Sequence, residues 1–115
     1  MMLDWNGYRQ QLLGRIGELA KRTPGTVRGY QQLADAGTKE NVLGPKVREL
    51  IALAVGVTRQ CDGCIAVHTE AAIRQGATRE EVTEALGVAV AVNTGAALVY
   101  SARALDAYEG KSGEA

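Results

Sequence analysis

Apolar residues recur along this chain with helical spacing almost throughout, and the pattern predicts an all-helical fold. Tyr8, Leu12, Ile16 and Leu19 lie on one face of a first segment running from about Trp5 to Arg22, with Arg9, Arg15 and Lys21 off that face. Thr23-Pro24-Gly25 breaks it, and a short second helix is expected over Thr26–Ala36, stopped by Gly37. Gly44-Pro45 opens a third helix, in which Val47, Leu50, Ile51, Ala54 and Val55 form an apolar stripe with Glu49 at its edge, ending near Val57 or Thr58. A fourth is expected over Asp62–Gln75, with Asp62 as its cap and Gly76 as its stop. Thr78 followed by Glu81 has capping-box spacing and opens a fifth helix, Arg79–Val92. A sixth is expected from Thr94 to Tyr108. Val88–Val92 alternates with alanine at period two, as a strand would, but the capping box and the length of the surrounding pattern favour helix. No repeat, linker or strand interrupts this, so the expected architecture is all-α: a compact bundle of about six helices in a single domain over residues 1–115, with the first helix at 5–22 and the principal core at 44–108.

Composition sharpens the picture. Hydrophobic residues make up 46% of the 115, which excludes a disordered chain, but there is no Phe, one Trp and four Tyr. Alanine-rich helices bury little area each, so a core shared within a homo-oligomer is expected. The 13 basic and 13 acidic residues balance, leaving no electrostatic footprint for nucleic acid or for an anionic membrane surface. The most apolar stretch, Ala85–Tyr100, is 16 residues long and contains Asn93 and Thr94, short of the roughly 20 that a membrane span needs. Met1–Gly7 carries Asp4 and no basic stretch leading into an apolar run, so no secretory signal is expected and a cytoplasmic location is. In a reducing compartment two cysteines serve poorly as a structural staple.

Those cysteines stand in the most informative stretch, Cys61-Asp62-Gly63-Cys64-Ile65-Ala66-Val67-His68. A helix beginning at Asp62 brings Cys61 and Cys64 together across its first turn and puts Cys64 and His68, the only histidine, on one face. A helix N-terminus stabilises a thiolate, the reactive form of cysteine, and a neighbouring imidazole can hold the proton. The second cysteine can close a disulfide on the first. The strand that precedes such a pair in a thioredoxin fold is missing, so the chemistry is expected without that fold. Other readings stay open: two small buried hydrophobes, or a zinc site using Cys61, Cys64, His68 and Glu49. The first cysteine of such a pair is often the exposed, reactive one, whereas the spacing to His68 favours the second, and the residues alone leave that choice open. Arg59 and Arg74 near the motif are either carboxylate ligands or solvated helix charges.

The full spacing is Glu49, eleven residues, Cys61, two residues, Cys64, three residues, His68. It is preceded by Arg48-Glu49-Leu50-Ile51-Ala52-Leu53-Ala54 and followed by Ala71-Ala72 and Gly76-Ala77-Thr78. This resembles the carboxymuconolactone decarboxylase superfamily, in particular its alkylhydroperoxidase (AhpD-like) branch, over about Gly44 to Ala107. The resemblance implies an all-helical protein assembled as a trimer or hexamer, with no metal and no bound organic cofactor. It implies reduction of a small hydroperoxide, or of a disulfide, at the expense of an external dithiol or redox protein. It assigns peroxide attack to Cys64, resolution and exchange with the reductant to Cys61, and proton relay to Glu49 and His68. One departure stands out: peroxidase members can carry a second histidine just before the second cysteine, and here that position is Gly63. The decarboxylase branch, which needs acid–base groups and no redox couple, and a noncatalytic helical assembly unit are the competing expectations.

Overall fold

The computed structural model describes residues 1–113 and is all-helical: α1 (Trp5–Arg22), α2 (Pro24–Glu40), α3 (Pro45–Thr58), α4 (Asp62–Arg74) and α5 (Arg79–Ser112). Asp4 caps α1 by accepting from the Gly7 N–H at 3.1 Å, and Thr23 ends it with both its N–H and its hydroxyl on the Leu19 carbonyl. Pro24 then occupies the first turn of α2, where its missing N–H costs nothing.

Several boundaries differ from the sequence expectation. Helix α2 runs through Gly37 to Glu40 and stops at Asn41, whose left-handed backbone (φ 48°) supplies the cap. Gly37 is used for packing instead, since a Cβ there would collide with the Arg48 guanidinium. The expected fifth and sixth helices are one, the 34-residue α5. Asn93 and Thr94 do not break it because their side chains bond back to carbonyls one turn earlier, Asn93 Nδ2 to Ala89 O at 2.7 Å and Thr94 Oγ1 to Val90 O at 2.8 Å.

Helix α3 is the centre of the arrangement. Lys46 pairs with Glu81 at 2.7 Å, tying the start of α3 to the start of α5, and Asn93 Nδ2 donates to Thr58 Oγ1 at 2.9 Å, tying its end to the middle of α5. The two helices therefore run parallel. On its other side α3 packs antiparallel to α4, and α1 lies antiparallel across α4, with Arg9 paired to Glu70 at 2.9 Å.

The turns on either side of α4 share one design. After α3, the Gln60 N–H bonds to Val57 O and the Cys61 N–H to Gly56 O; after α4, the Gly76 N–H bonds to Ile73 O and the Ala77 N–H to Ala72 O. Both are Schellman caps with a left-handed residue, Gln60 at φ 53° and Gly76 at φ 85°.

Among the described residues the buried apolar core is one leucine and three alanines: Leu53, Ala66, Ala72 and Ala89. Burying a leucine is worth about 1.5–3 kcal/mol and an alanine less, so this core contributes little against the ordering of the helices. Helix α5 leaves Val88, Val90, Val92, Leu98, Val99, Tyr100, Leu105 and Tyr108 each 60% or more exposed, and every described residue from 96 to 113 is exposed. By length and apolarity α5 meets the measure of a membrane-crossing helix, a measure that core helices of soluble proteins also meet.

The Lys46 ammonium and the capping hydrogen bonds of Thr78 hold the Glu81 carboxyl well below its ordinary 4.5, at about 2. A depressed carboxyl stabilises the fold above its ordinary pKa and loses that effect as pH falls toward the folded value. Glu81→Gln should therefore lower the melting temperature at neutral pH, modestly because the pair is partly exposed. The gap to the parent should close between pH 4.5 and 2 in a thermal series; a gap constant with pH would contradict this ion pair.

Candidate active site

The Schellman turn after α3 delivers Cys61 to the N-cap of α4. The expected cap, Asp62, lies instead inside the first turn, and the capping acceptor is sulfur: Cys61 Sγ accepts from the Cys64 N–H at 3.2 Å. The two sulfurs share a hydrogen bond at 2.6 Å and are unlinked by a disulfide. Both cysteines are half-buried.

These contacts divide the charge between them. The Cys64 thiol, the Cys64 N–H and the Gly63 N–H stabilise a thiolate on Cys61 and lower its pKa, partly offset by burial and by the Asp62 carboxylate. The Cys64 thiol moves the opposite way, raised by its hydrogen bond to Cys61, by burial and by the neighbouring charge. These contacts favour negative charge on Cys61 over negative charge on Cys64.

One turn further along α4, His68 Nδ1 lies 2.7 Å from Glu49 Oε2 of α3, with both side chains a little over one-quarter exposed. An ionised carboxylate only accepts, so Nδ1 carries the proton and Nε2 is free to take or release another. The same two helices set this pair and the dithiol. Gly56 of α3 faces Cys64 so closely that a Cβ at residue 56 would stand 2.8 Å from Cys64 Cβ. Seven residues back, two helical turns, Glu49 faces His68.

All four residues anticipated from the sequence thus lie along the α3–α4 seam, as two contacting pairs. Among the described residues no hydrogen bond joins the dithiol to the Glu49–His68 pair, and no group of three or more His, Cys, Asp or Glu side chains comes together as a metal-binding cluster. Arg59 and Arg74 are exposed.

Sequence reasoning missed two residues. Gly56 carries a signal only in retrospect, as a glycine inside the apolar stripe of a helix. Leu12 carries none: it packs from α1 onto Gly63, where a Cβ would lie 2.7 Å from Leu12 Cδ2. The space that a side chain between the two cysteines would take is occupied by leucine.

An all-helical protein with a dithiol at a helix N-terminus and a carboxylate–imidazole pair beside it is the class that fold and site define. Residues 24–107 match the carboxymuconolactone decarboxylase family, and the chain belongs to that family. A crystal structure of a carboxymuconolactone decarboxylase family protein from Legionella pneumophila superposes with a TM-score of 0.73 at 38% identity, covering 92% of this chain and 95% of that one. An uncharacterised protein of Haemophilus influenzae is 47% identical over 94% of this chain and 96% of its own length. Another, from Cupriavidus necator, is 33% identical over 91% and 93% respectively.

Two expectations test the geometry. Gly56→Ala gains helix propensity but forces α3 and α4 apart, for a net cost of about 1–2 kcal/mol in denaturant unfolding. No loss of stability would mean that the helices do not approach this closely. Alkylation of Cys61 should titrate below the ordinary thiol value of 9.0, and Cys64→Ala, by removing the thiol donor, should move that midpoint upward. An unmoved midpoint would show that Cys64 contributes nothing to the Cys61 thiolate.

Proposed function

We propose that the protein is a thiol-dependent oxidoreductase of the cytoplasm. It reduces hydroperoxides, or disulfides, through the Cys61–Cys64 pair, with Glu49 and His68 as proton relay and an external dithiol as reductant. The observation that carries this reading is the Cys61 sulfur at the N-cap of α4, bonded by the Cys64 N–H and 2.6 Å from the Cys64 sulfur. A buried structural cysteine has no need of a thiolate-stabilising helix end or of a partner sulfur at that distance.

The hydrogen bonds support a definite order of events. The Cys61 thiolate attacks the distal oxygen of the hydroperoxide, the O–O bond breaks, and Cys61 becomes a sulfenic acid. The departing alkoxide takes the Cys64 thiol proton and leaves as alcohol. Cys64, now a thiolate, attacks the Cys61 sulfur, the S–O bond breaks, and hydroxide leaves as water with a proton supplied through His68. The sum is dithiol plus hydroperoxide giving disulfide, alcohol and water. An external dithiol then reduces the disulfide and is itself oxidised. Glu49 engages His68 through Nδ1, which leaves Nε2 as the ring nitrogen that passes the proton. The resemblance assigned the sulfurs the other way round; the contacts that lower the Cys61 pKa and raise that of Cys64 support the present order.

The working form in this proposal is a homo-oligomer, with the apolar flanks of α5 covered by other copies. Helix α5 already commits one face to α3 through Ala89 and Asn93, and an incomplete core together with exposed valines and leucines on one helix fits a shared core.

The test is oxidation of the reduced protein by a hydroperoxide, followed by mass and by sulfenic-acid trapping. The parent should form an intramolecular disulfide, and Cys64→Ser should stop at a sulfenic acid on Cys61. Turnover should fall by about 10²-fold or more for either cysteine variant, and by a similar factor for Glu49→Gln or His68→Asn. Sulfenic acid accumulating on Cys64 in Cys61→Ser would reverse the order of attack. Thiols inert to peroxide would sink the redox reading and turn attention to acid–base chemistry on a lactone.

A further inference from the structure

The seam between α1 and α4 is not filled along its whole length. A cavity of about 520 Å³ lies in it, lined chiefly by Trp5 and Arg9 of α1 and by Ile65, Thr69 and Ile73 of α4. That volume is in the range of small-molecule sites, and an apolar wall with a few polar groups at its margin suits an apolar-bodied ligand. The Arg9–Glu70 pair spans the seam and holds the two helices together. Nearer the dithiol along the same two antiparallel helices, Leu12 of α1 lies against Gly63 of α4. Gly63 lies between the two cysteines, so Leu12 stands where the seam meets the reactive turn. The atom in contact is the far end of a leucine, which changes rotamer without any backbone movement.

We propose that Leu12 is a specificity-determining residue, a gate between the α1–α4 cavity and the Cys61–Cys64 turn. With Leu12 seated on Gly63, small polar reactants meet the sulfurs from solvent. With Leu12 swung aside, the cavity becomes continuous with the turn. A reactant with an apolar body can then lie against Trp5, Ile65 and Ile73 with its hydroperoxide or disulfide group at the sulfurs. The favoured substrates are hydroperoxides or disulfides carrying a bulky apolar group. This deepens the redox reading and rests on it for the substrate class, while the gate itself is measurable without redox chemistry.

The experiment compares two alkylating probes with the same electrophile and different bodies, N-ethylmaleimide and N-(1-pyrenyl)maleimide, on the reduced full-length protein. Leu12→Ala should raise the rate of the pyrenyl probe about tenfold and that of the ethyl probe less than about twofold. Thr69→Trp, which fills the cavity from a residue outside the dithiol and its relay, should cancel the gain in the double variant. Gly63→Ala, which displaces the leucine, should act in the same direction as Leu12→Ala and add nothing to it. Equal acceleration of both probes, or a gain that survives Thr69→Trp, would overturn the gate and leave Leu12 as a packing residue. The same variants are then given hydrogen peroxide and cumene hydroperoxide. A selective gain with the pyrenyl probe but no peroxide reaction with any variant would uphold the gate and sink the redox reading. A peroxide reaction with no change of selectivity would do the reverse.

Discussion

The close approach of α3 to α4 at Gly56 is the constraint on which the site depends. Without a Cβ at 56, the two helices come near enough for Cys64 to sit against the α3 backbone. That one contact fixes the separation of the helices at their other end, where Glu49 reaches His68 at 2.7 Å. A wider spacing would break the carboxylate–imidazole bond before it disturbed the dithiol, because the sulfurs flank the first turn of one helix and the Glu49–His68 pair is split between two. The Glu49–His68 pair is therefore the more fragile half of the candidate site, and its integrity reports the packing of the whole seam.

Sulfur as the capping atom of α4 couples local fold to redox state. The negative charge on Cys61 is stabilised by backbone N–H groups that any helix start leaves unpaired, so the thiolate and the helix support one another. Formation of a disulfide removes that charge and with it the electrostatic part of the cap. Whatever favours the thiolate favours the reduced pair, and a pair favoured in its reduced form is a stronger oxidant when closed. Asp62 works against this, since its carboxylate raises the Cys61 pKa while its place in the first turn suits the helix dipole. Asp62 and the hydrogen bonds from Cys64 and Gly63 thus pull the thiolate in opposite directions, and the hydrogen bonds prevail.

Much of this was legible in the sequence where the cause is local. The capping box at Thr78, the stop at Gly76 and the cysteine pair across one helical turn each depend on residues within four positions of one another. The link from Glu49 to His68 spans 19 residues and was legible only through family spacing. Errors arose where tertiary contact overrode a local cue. Asn93 reads as a helix end, yet its amide is occupied by Ala89 and by Thr58 on another helix. Gly37 reads as a stop, yet its bare Cα makes room for Arg48. Leu12 on Gly63 joins residues 51 apart in sequence, and nothing near either one announces the other.

The two ends of α4 offer an internal comparison that bears on the site. Each is joined to its neighbour by the same Schellman geometry, with glycine in the left-handed position at 76 and glutamine in the same position at 60. A left-handed residue with a Cβ costs about 1 kcal/mol relative to glycine, so the turn carrying Cys61 is the more strained of the two. Glycine also leaves a turn free to visit many backbone states, whereas glutamine narrows them. The residue before Cys61 thus trades stability for definition. The chain accepts a conformation it does not favour, and in return the sulfur that caps α4 arrives with its backbone already set by the Cys61 N–H on Gly56 O. At Gly76, where no reactive group follows, the cheaper residue stands.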